Sequence, residues 1–139
     1  MRHRQQILLL IFSIVAILPG CATDKADEKL LESTLENYAS VIRWGNFEDA
    51  VAYVDPAVLK EHPMTALDLA RYRQVRVTAY NEQPFKAVGE LEVRQVVEVG
   101  IVNNNTQVMR SLMDRQLWRY DVKEKRWWLM TGLPDITQH

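Results

Sequence analysis

The sequence predicts an α+β domain: N-terminal helices packed on one face of a curved four-stranded antiparallel sheet, forming a cone, with a signal-peptide helix in front. Three observations carry this reading. Up to Arg73 apolar residues recur at three- and four-residue steps, and after it at every second residue. The strand-like runs are joined by short polar segments and not by helices, which fits an antiparallel meander. A short apolar run with a basic start opens the chain. A chain of 139 residues with 25% charged and 47% hydrophobic side chains is expected to hold one domain. The formal net charge of -1 offers no basic field for a nucleic-acid partner, and none is expected. One cysteine cannot form an internal disulfide, and no Cys/His group has zinc spacing, so no metal and no cofactor are expected.

Residues 1–20 read as a signal peptide. Arg2 and Arg4 form the basic start, and Ile7 to Leu18 are 12 residues broken only by Ser13. A membrane-spanning helix needs roughly 20 apolar residues, so the run is too short to cross. Leu18-Pro19-Gly20-Cys21 resembles a bacterial lipobox. The resemblance implies cleavage before Cys21 and diacylglycerol on its thiol, making the membrane a partner through Cys21; several acyl chains together anchor stably. Ala22 behind the cysteine implies the outer membrane, with the domain facing the periplasm. Residues 21–27 then form the lipidated Cys and a short tether, 28–134 the domain, and 135–139 a tail.

Leu30, Leu31, Thr34, Leu35, Tyr38, Val41 and Ile42 make one apolar stripe, which predicts a helix from about Asp27 to Arg43, ended by Trp44-Gly45. Asn46 is placed to cap a second helix with Phe47, Ala50, Val51 and Val54 inside. Asp55-Pro56 starts a third, interrupted at Pro63, and Thr65 to Tyr72 is a further helical piece. Four strands follow: Val75 to Tyr80, Leu91 to Ile101, Val108 to Tyr120, and Arg126 to Thr131. Asn103-Asn104-Asn105 and Val122 to Lys125 are the turns.

Two motifs add a resemblance. Tyr38 to Ala50 (YASVIRWGNFEDA) is a long helix passing through an aromatic-Gly-Asn-Phe step into a second one, and Trp118 to Leu129 (WRYDVKEKRWWL) is a hairpin closing on Trp. With the element order, these are similar to the nuclear transport factor 2-like superfamily, the cystatin-like α+β cone, also found in small bacterial lipoproteins. The superfamily hosts isomerases, dehydratases, transport factors and inert interaction modules, so the resemblance implies the fold alone.

If Asn104-Asn105 is a two-residue turn, Val97 faces Leu112, Gln95 faces Asp114, Val93 faces Gln116 and Leu91 faces Trp118. A three-residue turn shifts the pair by one and turns Asp114 outward. If Asp121 pairs with Arg126, Trp118 faces Leu129. The core face then carries Leu91, Val93, Val97, Leu112, Trp118, Tyr120, Trp127 and Leu129. Tyr38, Gln95, Asp114, Gln116 and Trp118 are the ligand-pocket candidates. Asp114 is the one catalytic candidate, as a carboxyl raised in pKa by an apolar site. Its other reading is structural, bonded to Gln95 or paired with Arg73 or Arg43. The outer face collects Val96, Met109, Met113, Leu117, Trp128 and Met130, with Val96 beside Met113 and Leu117 beside Met130. A second copy, another envelope protein, or the chain's own Leu133 and Ile136 are its candidate covers. His62 reads as solvated, and the tryptophans read as core residues more than as a sugar platform. The functional expectation is a lipid-anchored, non-catalytic envelope module; the alternative is a small isomerase, dehydratase or hydrolase working through Asp114.

Overall fold

A computed structural model of the chain describes residues 21–138. The signal-peptide reading of residues 1–20 lies outside them. Helices come first and strands after: α1 (Cys21–Arg43), α2 (Phe47–Ala50), a 3-10 turn (Val51–Tyr53), α3 (Pro56–Glu61) and α4 (Ala66–Tyr72), then β1 (Val75–Glu82), β2 (Lys86–Gly89), β3 (Glu92–Asn103), β4 (Met109–Asp121) and β5 (Arg126–Leu129). β1, β3, β4 and β5 make a curled antiparallel half-barrel in that order, and the short β2 pairs with the start of β3.

The expected helix was to begin near Asp27, but α1 already runs through the segment read as a tether. Its buried stripe is Leu31, Leu35, Tyr38, Ala39 and Ile42. The helix stops because Gly45 takes φ 74, letting Gly45 N donate to Ile42 O at 2.9 Å and Asn46 N to Val41 O at 3.2 Å. The second helix is shorter than expected: Asn46 makes no cap bond to the backbone, and the chain tightens into the 3-10 turn after Ala50. Asp55 caps α3 by accepting from Ala57 N and Val58 N, and Thr65 with Asp68 forms a reciprocal capping box on α4.

The β3–β4 register differs from the expected one by two residues. Val97 pairs with Asp114, Gln95 with Gln116 and Val93 with Trp118. The cause is the turn, which is a four-residue loop. Asn103 Oδ1 accepts from Asn105 N at 2.9 Å and Thr106 N at 3.0 Å, and Gln107 takes φ 60. A helical turn capped by its own Asn thus replaces the two-residue hairpin. A shift of two leaves every side chain on its expected face. The β4–β5 pairing is as expected, with Asp121 opposite Arg126 and Trp118 opposite Leu129. Asp121 caps that loop in the same way, accepting from Lys123 N and Glu124 N.

The core gathers Val93, Val97, Leu112, Trp118, Trp127 and Leu129 against the α1 stripe. Leu91 is a correction: it is 41% exposed, because β2 returns through a turn that places Leu91 ahead of β3. Ile136 and Pro134, at the end of the chain, are buried; Tyr72 OH donates to Pro134 O at 2.9 Å and Arg110 bonds Ile136 O. At Gly100, opposite the bulge between Val77 and Ala79, an added Cβ would stand 2.9 Å from Thr78 Oγ1, so β1 and β3 need glycine there.

Candidate functional site

Inward-facing positions on β3 and β4 put Gln95, Asp114 and Gln116 in the apolar interior, each less than 7% exposed. Two residues apart on one strand, Asp114, Gln116 and Trp118 line up on the same face. They form a hydrogen-bonded chain. Trp118 Nε1 donates to Gln116 Oε1 at 2.9 Å, and Gln116 Nε2 donates to Asp114 Oδ2 at 2.7 Å and to Tyr80 OH at 3.1 Å. The Gln116 amide is therefore saturated on both ends.

Asp114 does not pair with Gln95, Arg73 or Arg43. The register puts Gln95 a row away, Arg73 bonds Glu48, and Arg43 donates to Tyr80 O at 3.3 Å and lies 3.8 Å from Glu82. Burial raises the Asp114 carboxyl to about 6, with the bond from Gln116 pulling the other way. Burial, and then the neighbouring Asp114 charge, push the Tyr38 hydroxyl well above its ordinary range.

Aromatic rings fill the space around this chain. Tyr38 and Trp118 are fully buried and meet edge to face at 5.2 Å, and Tyr53 closes on Tyr38 at 5.4 Å. Trp127 is 5% exposed and donates Nε1 to Asp27 O at 3.2 Å. Four cavities of about 260–350 Å³ lie around the periphery, and Asp114, Gln116 and Trp118 line none of these four. Of the expected pocket residues, Gln95 alone reaches one: the groove of about 350 Å³ between α1 and the β1–β2 connection. Two buried side-chain atoms have no partner among the described residues, Tyr38 OH and Gln95 Oε1.

Val96, Met113, Leu117, Trp128 and Met130 face outward, as expected, and are half-buried; Met109 is 69% exposed. Val96 does not sit beside Met113. The register pairs Val96 with Arg115 and Met113 with Glu98, so the apolar patch is broken by charge. Leu117 does adjoin Met130, whose N donates to Leu117 O at 2.8 Å. The Arg126 guanidinium stacks 3.6 Å from the Trp128 ring centre. The chain's own end packs with Tyr72 and Arg110 on the helix side and does not cover this patch.

His62 is exposed after α3, and no group of three His, Cys, Asp or Glu side chains among the described residues is placed to hold a metal. Sequence reasoning missed the exposure of Trp44, 86% open at the end of α1, although Gly behind it marks a helix terminus. No protein-family model matches the chain, and no curated protein matches it.

Proposed function

We propose that this chain is a lipid-anchored protein of the bacterial cell envelope, held at the outer membrane through Cys21, with a nuclear transport factor 2-like domain that acts as a non-catalytic binding or interaction module. The basic start, the short apolar run and the lipobox-like Leu18 to Cys21 support the anchor. One observation supports the non-catalytic part: the interior that an enzyme of this shape would keep open is occupied by Tyr38, Trp118 and Trp127. The outer face, where Trp128 and Met113 are only half-buried among the described residues, is the proposed contact with a second copy or another envelope protein.

The anchor is tested by Cys21→Ser. The unchanged chain is expected to carry acyl mass on its N-terminal peptide and to fractionate with membranes at high salt; the variant is expected to lose both. Membrane retention of the variant at high salt overturns the reading. A second reading, a small isomerase, dehydratase or hydrolase, is favoured by the raised Asp114 carboxyl. It requires turnover in a substrate screen that disappears in Asp114→Asn while the fold persists.

A further inference from the structure

The groove between α1 and the β1–β2 connection has a chemistry the interior lacks. Glu32 and Glu36 enter it from successive turns of α1, beside Leu35 and Ala39. Glu82, Gln83, Pro84 and Phe85 come from the end of β1 and the connection, and Gln95 lies between the two walls. The volume is about 350 Å³, enough for a small ligand.

Charge in the groove is unbalanced. Three carboxylates face one guanidinium, and that guanidinium, Arg43, is engaged with Glu82 and with Tyr80 O. Glu32 and Glu36 make no ion pair among the described residues. Lys29, one turn before Glu32, is exposed and does not bridge to it within 4.0 Å. Like charges at i and i+4 on a helix repel, and a bound cation relieves that repulsion.

The second observation is independent of charge. Gln95 is 6% exposed; its Nε2 donates to Gln83 O at 3.1 Å, and its Oε1 has no partner among the described residues. The bond to Gln83 fixes the amide beside the groove, and its oxygen, closed off from solvent, is left without a donor among the described residues. Phe85, Leu35 and Ala39 supply apolar wall, and an aromatic face also favours a cation.

We propose that this groove binds a primary ammonium group carried on an apolar stem. Two sources share that chemistry, a free alkylamine and the side chain of a lysine in a peptide. The proposal names a ligand for the binding module and does not depend on the lipid anchor.

Calorimetric titration of the full chain with hexylamine at low ionic strength tests it, with 1-hexanol and hexanoate as controls. Binding by hexylamine and not by the controls is expected. Glu32→Gln with Glu36→Gln, both exposed and harmless to the fold, is expected to weaken hexylamine by about tenfold or more. A capped Ala-Lys-Ala peptide that outbinds hexylamine, and loses binding when its lysine is acetylated, assigns the source to protein lysine; hexylamine binding without the peptide assigns it to a free amine. Hexanol binding as tightly as hexylamine, no heat at millimolar amine, or a double variant that binds as well as the unchanged chain overturns the proposal.

Discussion

Two regions of the same sheet face treat buried polar groups in opposite ways. Around Trp118, each polar atom of Gln116 is matched, and Tyr38, Tyr53 and Trp127 leave the chain no room for a guest. One row away, Gln95 keeps an unmatched oxygen and lines an open groove. Both regions looked alike as a pattern of polar residues in strands. The difference lies in what surrounds an unmatched atom: Tyr38 OH also lacks a partner among the described residues but is sealed among aromatic rings, whereas Gln95 borders a groove.

The strongest way to break this comparison is Trp118→Ala. It removes a fully buried ring and strands the Gln116 carbonyl oxygen, and a loss of about 3–5 kcal/mol is expected in urea unfolding. A loss under about 1 kcal/mol would mean that the aromatic filling is loose.

Asp114→Asn comes next, and its effect depends on pH. Folding raises the carboxyl from 3.8 to about 6, so the native state binds more protons than the unfolded one in that window. Stability therefore falls as pH rises from about 4 through about 6, by up to about 3 kcal/mol, and stays low above it. The amide has no charge to bury, so Asp114→Asn is expected to flatten this slope and to gain stability at pH 8 but not at pH 4. Unfolding curves across that range check it, and a slope unchanged in the variant sinks the assignment.

Gln95→Leu is the smallest effect. One bond to Gln83 O is lost, one orphaned oxygen is removed, and the net change is expected within about 1 kcal/mol of zero. A loss of several kcal/mol in the same unfolding assay would show that Gln95 belongs to the satisfied region after all.

The alternation of Val93, Val97, Leu112 and Trp118 was enough to read the faces of the sheet, and the Asp121 to Arg126 hairpin was read to the residue. The other hairpin was not, because three successive asparagines permit both a two-residue turn and a loop capped by Asn103. The resulting two-residue slip spared the faces but changed the neighbours. It separated Gln95 from Asp114, so the Gln95 amide donates to Gln83 O and not to the carboxylate. The groove was hidden for the same reason: β2 is four residues between Phe85 and a turn, too short to announce itself, yet the connection before it forms one wall. Glu32 and Glu36 lie on the exposed side of α1, and only that wall makes their surroundings a groove.

The bulge at Val77 and Ala79 bears on how copies of this chain behave when crowded. An open sheet has two edges, and a regular edge invites strand after strand to add to it. At one edge, Val54 bridges Leu129 and Asp55 N donates to Leu129 O at 3.0 Å, so β5 is already occupied. At the other, the bulge upsets the even spacing of outward N–H and C=O groups, and the Arg43 guanidinium sits on Tyr80 O. Among the described residues, each edge thus carries a feature that works against strand addition, which turns self-association of this chain toward the faces of its sheet.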